Sequence, residues 1–358
     1  MGNGINIRYA ECKPSSGSIL KGLVLCLHGW PESWYSWRHQ LRGLAAEGYH
    51  VVAPDMRGYG GTSQPKNVEE YNIYTLAGDA LSLLAHLNYS KCFLIGHDWG
   101  AAIGWMFTRL HPDVFIAYAA LSVPVSLRKR ADGRGQYSVL RDVYGDPNGP
   151  DARSSARFHY MLFNNLPEAA RLYESNIEAA LFAIYSNTNV DDFPFKDPVV
   201  HSGKLYIGGR ARGMWERVPF PTQLPKWLPR EDFMYYVDEF KRAGMEGGMM
   251  YYRTMDLNHS ITKHFTQQRI SVPAIFLGGS EDGVVKAFGG KENVGKILQE
   301  AVEHLETVKV YDKVGHWIQQ EIPAVVNSDC LEFFERHLHE LAGSRKGTPG
   351  SFQCVSKL

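Results

Sequence analysis

The chain contains 358 residues, of which 44% are hydrophobic and 21% charged, and its 38 Lys and Arg side chains are matched by 38 Asp and Glu side chains. This composition is typical of a soluble globular protein and gives no electrostatic basis for binding nucleic acid or an anionic membrane. No apolar run reaches the roughly 20 residues that span a bilayer. We therefore expect no nucleic-acid partner and no membrane span. The length allows one large α/β domain with an insertion, or two domains.

The cysteines and the glycine-rich segments show no pattern of a metal or cofactor site. The five cysteines are scattered along the chain without metal-ligand spacing, which predicts reduced thiols in an intracellular protein. The glycine-rich segment 58–63 lacks the Gly-Lys-Ser/Thr ending of a phosphate-binding loop. The sequence therefore predicts neither a cofactor nor a metal ion.

The first part of the chain alternates apolar runs with helical patterns. Strands are predicted at residues 5–12, 23–27, 49–55, 92–96 and 116–121, and a helix at 76–87. The near-continuous apolar run 23–27 is typical of a central parallel strand, buried on both faces. This alternation predicts a mostly parallel, doubly wound sheet.

The segment 92–102 contains the motif that organises the chain. An apolar strand runs into Gly96-His97-Asp98-Trp99-Gly100, and an amphipathic helical pattern follows. This is the small-x-nucleophile-x-small pattern of the nucleophile elbow of α/β-hydrolases, with Asp98 in the position that Ser usually holds. Glycines suit such a turn because strand and helix approach each other closely there.

The replacement of Ser by Asp indicates the chemistry. A serine that attacked a saturated carbon would form an ether, which is a dead end, whereas a carboxylate forms an ester that water can cleave. A carboxylate is also ionised at neutral pH and needs no base to activate it. The elbow therefore predicts displacement at an sp³ carbon, followed by hydrolysis of an ester on Asp98.

A second loop is predicted to lie beside the elbow. The strand 23–27 ends in His28-Gly29-Trp30-Pro31, and in hydrolases of this fold an HGxP loop offers a backbone N–H to the developing oxyanion. The predicted donors are the amides of Trp30 and Trp99. We interpret His28 as a structural histidine.

The character of the sequence changes after residue 124. Gly/Pro-rich loops and aromatic helical patches without strand alternation predict a mainly helical cap at 125–267, inserted into a core formed by 1–124 and 268–343. Core strands resume at 272–279 and 308–311, a helix is predicted at 324–341, and 344–358 is predicted to be a flexible tail. The late strands are followed by Glu281-Asp282 and by His316. This matches the nucleophile, acid, base order of α/β-hydrolases.

Together, His28-Gly29-Trp30-Pro31, Gly58-Tyr59-Gly60, Gly96-His97-Asp98-Trp99-Gly100 and Gly315-His316-Trp317 resemble a soluble epoxide hydrolase of the plant and animal type. The resemblance covers nearly the whole chain, although it matches only the C-terminal half of the animal enzymes. It implies opening of lipophilic epoxides to vicinal diols, with Asp98 as nucleophile, His316 as general base and Asp282 as the orienting acid. Glu281 is the alternative acid.

The same resemblance implies two tyrosines in the cap. Tyr252 matches the second lid-tyrosine segment of the family and Tyr160 the first, although His159 competes with Tyr160. Opening an epoxide produces an alkoxide, which is a poor leaving group without a proton donor. A phenol with a pKa near 10 is protonated at neutral pH and acidic enough to serve.

Two other functions fit parts of this pattern. A haloalkane or haloacid dehalogenase shares the Asp nucleophile, the His base and the fold, but halide needs no proton donor, which disfavours it here. A hydrolase-fold binding protein without turnover would not require Asp98, Asp282 and His316 together. The expected partners are accordingly a small epoxide and water.

The chain ends in Ser356-Lys357-Leu358, which matches the peroxisomal targeting tripeptide. A flexible tail would leave it free for the peroxisomal import receptor. We expect a peroxisomal location; the alternative is an untargeted cytosolic tail.

Overall fold

The fold is built around a single mixed β-sheet. The computed structural model describes residues 3–125, 127, 136–144, 160–186, 223–265 and 267–341. Within these residues the sheet has seven strands. They are β1 Tyr9–Cys12, β2 Gly22–Leu27, β3 Tyr49–Pro54, β4 Cys92–His97, β5 Phe115–Leu121, β6 Ala274–Gly279 and β7 Leu305–Tyr311. Their spatial order is β1-β3-β2-β4-β5-β6-β7.

All neighbouring strands are parallel except β1, which pairs antiparallel with β3. Because parallel strands end at the same edge, the carboxyl ends of β2 and β4 to β7 lie side by side. The register shows this directly, since Leu27 pairs with Gly96, His97 pairs with Leu121, and Leu121 pairs with Leu277. Ligands of open α/β sheets bind outside this edge.

The central strands are buried on both faces, as a continuous apolar run requires. Along β2, Leu23, Leu25 and Leu27 pack into one apolar cluster, while Val24 and Cys26 pack into another on the opposite face. This alternation follows from the two-residue period of a strand. The sheet therefore has a helical layer on each side.

The helices complete these layers and form an insertion between β5 and β6. Those outside the insertion are α1 Arg38–Ala46, α2 Ile73–His86, α3 Trp99–Leu110, α11 Gly283–Ala287, α12 Gly290–Ala301, α13 Ile318–Glu321 and α14 Pro323–Arg336. The insertion contains α4 Gln136–Tyr144, α5 Tyr160–Asn164, α6 Ala169–Glu174, α7 Ile177–Ser186, α8 Arg230–Ala243, α9 Glu246–Arg253 and α10 Met255–Ile261, here called the inserted helices. Among the helices of the described residues, none combines the length and apolarity that crossing a bilayer requires.

Several elements differ in extent from the sequence prediction, and the first strand and the last helix differ most. The first strand was predicted from residue 5 but begins at Tyr9, because its partner β3 ends at Pro54, opposite Tyr9. The last helix was predicted to reach residue 341 but ends at Arg336, and a 3-10 turn, Leu338–Leu341, follows. His337 leaves the helical backbone region, and its ring bonds to Glu306 and Glu340. The contact with Glu306, 31 residues away, overrides the local helical pattern. The predicted tail 344–358 and parts of the predicted cap 125–267 lie outside the described residues.

Candidate active site

Asp98 stands at the apex of a strained turn between β4 and α3. Its φ of 52° and ψ of −119° place a non-glycine residue at positive φ. The two flanking glycines are required by space, because a Cβ on Gly96 would lie 2.4 Å from the carbonyl oxygen of Gly100 and a Cβ on Gly100 would lie 2.0 Å from that of Leu27. The predicted strand, turn and helix therefore meet as an elbow that presents the Asp98 carboxylate at the carboxyl edge of the sheet.

The two oxygens of the Asp98 carboxylate have different surroundings. Oδ1 accepts a hydrogen bond of 2.8 Å from the backbone N–H of Trp30. Oδ2 lies 3.7 Å from Nε2 of His316, and the side chains of Asp98 and His316 are 14% and 15% exposed. Trp99 opens α3, where the first backbone N–H groups of a helix have no partner within the helix. One carboxylate oxygen is thus held by an amide while the other faces the histidine.

His316 and Asp282 form the next pair. Nδ1 of His316 lies 3.0 Å from Oδ1 of Asp282, which also accepts a hydrogen bond of 2.7 Å from the amide of Val284. Burial opposes ionisation of Asp282, but the charge and hydrogen bond of His316 hold its pKa below the ordinary value. Burial likewise opposes protonation of His316, but Asp282, reinforced by Asp98, holds its pKa well above the ordinary value. The alternative acid, Glu281, pairs with Lys286 at 2.7 Å.

The two tyrosines predicted in the cap lie beside the elbow, on the inserted helices. Tyr252, on α9, is buried, with its ring 5.0 Å from that of Trp99 and 5.8 Å from that of Trp30. The ring of Tyr160, at the start of α5, lies 6.2 Å from the ring of Tyr252. Burial is the main cause that raises the pKa of both phenols, and the negative charge of Asp98 adds to it. Both phenols are therefore protonated at neutral pH. His159 lies outside the described residues.

The chain is similar to known proteins over most of its length. The family model for the alpha/beta hydrolase fold matches residues 22–321. Epoxide hydrolase A of Mycobacterium tuberculosis is 32% identical over 92% of this chain and 94% of its own length, and epoxide hydrolase 3 of Siraitia grosvenorii is 35% identical over 93% and 96%. The crystal structure of epoxide hydrolase A from Mycobacterium thermoresistibile superposes with a TM-score of 0.77 at 33% identity, covering 94% of this chain and 96% of that one. This chain is an epoxide hydrolase of the α/β-hydrolase superfamily. The predicted family and fold are confirmed.

Sequence reasoning missed several residues that support the site of this epoxide hydrolase. Glu32 is fully buried and accepts hydrogen bonds of 2.7 Å from the amide of Gly29 and 2.9 Å from the amide group of Gln319. It also lies 2.8 Å from Nδ1 of His97. Burial opposes its ionisation, but the charge and hydrogen bond of His97 lower the pKa of Glu32 to about 2. The available signal was an acidic residue within the aromatic-rich segment 30–37.

Further hydrogen bonds hold the loop that carries His316. The carboxylate of Glu321 accepts hydrogen bonds from the amides on either side of the histidine, Gly315 at 2.8 Å and Trp317 at 2.9 Å. The ring of His97 lies 2.7 Å, through Nε2, from the carbonyl oxygen of His316. His97 and Glu32 therefore connect the loop that follows β2 to the loop that carries His316. His28, which was interpreted as a structural histidine, accepts a hydrogen bond of 2.9 Å from the amide of Met56.

Proposed function

We propose that this epoxide hydrolase opens lipophilic epoxides in two steps, through an ester formed between the substrate and Asp98. One observation carries the proposal. A single carboxylate at a strained elbow has Oδ1 held by the amide of Trp30 at 2.8 Å, while Oδ2 lies 3.7 Å from the base His316. The aromatic rings of Trp30, Trp99 and Tyr252 next to this carboxylate support an apolar substrate.

In the first step the carboxylate of Asp98 attacks an epoxide carbon, and the bond between that carbon and the ring oxygen breaks. The ring oxygen gains negative charge and takes a proton or a strong hydrogen bond from Tyr160 and Tyr252. Because the pKa values of both phenols are raised, they hold their protons until this charge develops. The product of the step is an ester with a neighbouring hydroxyl group.

In the second step His316 removes a proton from water, and the resulting hydroxide adds to the carboxyl carbon of the ester. The tetrahedral intermediate places its negative charge on the oxygen bound by the amide of Trp30, with the amide of Trp99 as the proposed second donor. One such donor is worth roughly 3 kcal/mol of transition-state stabilisation. Collapse of the intermediate breaks the ester bond, and the proton on the added oxygen passes to the departing alkoxide, so that the diol leaves and the carboxylate of Asp98 is restored. The proton taken up by His316 returns through solvent to the tyrosine that gave up its own.

Formation of the ester lowers the pKa of the base, His316. Asp98 contributes to the raised pKa of His316 in the free enzyme. Once its carboxylate is esterified, that negative charge is gone and the pKa of His316 falls. The imidazole is then more readily available as a base in the step that needs one.

Replacing the base should trap the ester. We expect His316→Gln incubated with styrene oxide to gain the mass of one substrate molecule on intact protein, and Asp98→Ala to show no gain. In a single turnover of the native enzyme in water enriched with oxygen-18, the label should enter Asp98 and be absent from the first diol. Label in that diol would contradict the ester mechanism. A parallel assay of chloroalkanes for halide release tests the dehalogenase alternative.

The range of substrates and the cellular location need separate tests. We expect diol formation from a panel of fatty-acid, styrene-type and terpene epoxides, and activity confined to small polar epoxides would contradict a lipophilic substrate. We also propose that Ser356-Lys357-Leu358, outside the described residues, directs the protein to peroxisomes. A fluorescent fusion with a free C-terminus should co-localise with peroxisomes and lose that location when the tripeptide is deleted.

A further inference from the structure

Ser122 occupies an unusual position at the catalytic edge of the sheet. It directly follows β5, is fully buried, and its backbone N–H donates a hydrogen bond of 2.9 Å to the carbonyl oxygen of Leu277 in β6. Its φ is 74°, in the region that favours glycine. A serine at this position strains the backbone, so its side chain must contribute something that glycine would not.

The hydroxyl of Ser122 lies between the carboxylate of Asp282 and the ring of His316. It donates a hydrogen bond to Oδ2 of Asp282, and its oxygen lies 2.9 Å from Nδ1 of His316. A hydroxyl has one proton and two lone pairs, and an ionised carboxylate can only accept. The carbonyl oxygen of His316, at 3.4 Å, is a more distant acceptor. The proton of Ser122 therefore goes to Asp282, and a lone pair faces the N–H of His316.

The two carboxylate oxygens of Asp282 accept hydrogen bonds from different donors. Oδ1 receives the amide of Val284 at 2.7 Å and Nδ1 of His316 at 3.0 Å. Oδ2 receives the hydroxyl of Ser122. Bonds at both oxygens fix the rotation of the carboxylate, and the carboxylate in turn fixes the plane of the imidazole.

We propose that Ser122 is a positioning residue that keeps the N–H of His316 directed at Asp282 during ester hydrolysis. It acts through Asp282 and His316 and does not contact the substrate. The inference rests on the proposed two-step mechanism, because only the second step uses His316 as a base. Attack by Asp98 and proton donation by the tyrosines do not depend on this hydrogen-bonded triangle.

The test separates the two steps. Formation and decay of the ester are followed by rapid quenching and intact-protein mass after mixing with styrene oxide. We expect Ser122→Ala to slow ester decay roughly 10- to 100-fold, the size expected for a lost hydrogen bond to a buried charge. Ester formation should stay within about twofold of the native rate, so that the ester accumulates.

A second variant separates the hydroxyl from the backbone strain. Ser122→Gly removes the same hydroxyl but also relieves the strain of a positive φ, so both variants should slow decay to a similar extent if the hydroxyl is responsible. Thr108→Val is a matched control, because Thr108 is equally buried but bonds through its hydroxyl to the carbonyl oxygen of Trp105 within α3. It should leave both steps unchanged.

Three results would overturn the proposal. They are normal ester decay in both Ser122 variants, equal slowing of formation and decay, and slow decay in Ser122→Ala alone, which would indicate a backbone role. Failure of the underlying mechanism is distinguishable from these results, since His316→Gln would then gain no mass at all. Thermal unfolding of each variant identifies loss of the folded state, and the Gly variant retains the test if the Ala variant unfolds.

Discussion

The two sides of the Asp98 carboxylate are built in different ways. On the side of the sheet edge, His316, Asp282 and the amide of Trp30 are held by directional hydrogen bonds of 2.7–3.0 Å. On the side of the inserted helices, Tyr252 and Tyr160 lie in a cluster of aromatic rings with centroids 5.0–6.2 Å apart, and the side chain of Trp99 donates a hydrogen bond to Tyr252. Hydrogen bonds specify the positions of atoms, whereas ring packing specifies a volume. The sheet edge is therefore suited to the chemistry shared by all substrates, and the ring cluster on the helical side to the shape of a particular substrate.

Polar contacts join the two sides. Tyr185, on α7, donates a hydrogen bond of 2.6 Å to the carbonyl oxygen of Pro31, and Tyr251, on α9, donates one of 2.9 Å to that of Arg57. Asp232, on α8, pairs with Arg38 at 2.8 Å. Variants on each side, and at the joint, test whether the division holds.

The largest effect is expected on the sheet side. Replacing Asp98 by Ala removes the nucleophile, and we expect kcat to fall by about 10⁴-fold or more. The fold should persist, because Gly96 and Gly100, which allow the elbow, are unchanged. Diol formation measured beside thermal unfolding checks both points. Residual activity within a hundredfold of the native enzyme would contradict a covalent role for Asp98.

A smaller and step-specific effect is expected on the helical side. Tyr252→Phe should slow ester formation by about 10²-fold, the lower end of general-acid contributions, and leave ester decay unchanged. Tyr251→Phe is the matched control, because it removes a neighbouring buried phenol whose hydroxyl bonds to the backbone of Arg57. Rapid-quench alkylation kinetics distinguish the two. Equal slowing by both variants would assign the effect to packing.

The pH dependence should again separate the steps. His316 must be neutral to act as a base, so ester decay should fall about tenfold per pH unit below the pKa of His316 in the ester. That pKa should lie below the value in the free enzyme, because the negative charge of Asp98, which helps to raise it, is lost in the ester. Single-turnover decay across pH, compared with an NMR titration of His316 in the free enzyme, measures both values. An ester pKa equal to or above the free value would contradict this account.

The smallest effect is expected at the joint between the two sides. Tyr185→Phe leaves the buried carbonyl of Pro31 without this donor and should lower the free energy of unfolding by about 1–3 kcal/mol. Because Pro31 follows Trp30, we also expect a few-fold loss of kcat, the result of about 1 kcal/mol. Tyr173→Phe is the control, since that hydroxyl bonds to Asn164 within the inserted helices. A similar loss of kcat in both variants would show that the contact with Pro31 has no special role.

Much of the fold follows from local patterns in the sequence. The apolar runs of β2 to β6 can be buried only with their backbone groups paired, and apolar runs this short are typical of strands in a parallel sheet. The elbow is readable because the two glycines flanking Asp98 satisfy a steric requirement that involves the adjacent strand and helix. The resemblance to a known family supplied Tyr160 and Tyr252, which no spacing rule distinguishes from the other tyrosines of the chain.

The tertiary structure alone decided which distant groups meet. Ser122 reaches Asp282 across 160 residues, and Glu32 reaches His97 across 65. These pairs carry no local signature, because the sheet brings them together only when its strands return to the same edge. The start of β1 at Tyr9 and the end of α14 at Arg336 were also set by partners far along the chain. The hydrophobic periodicity of the sequence indicates which face of a helix or strand is buried. Which other element packs against that face depends on the whole fold.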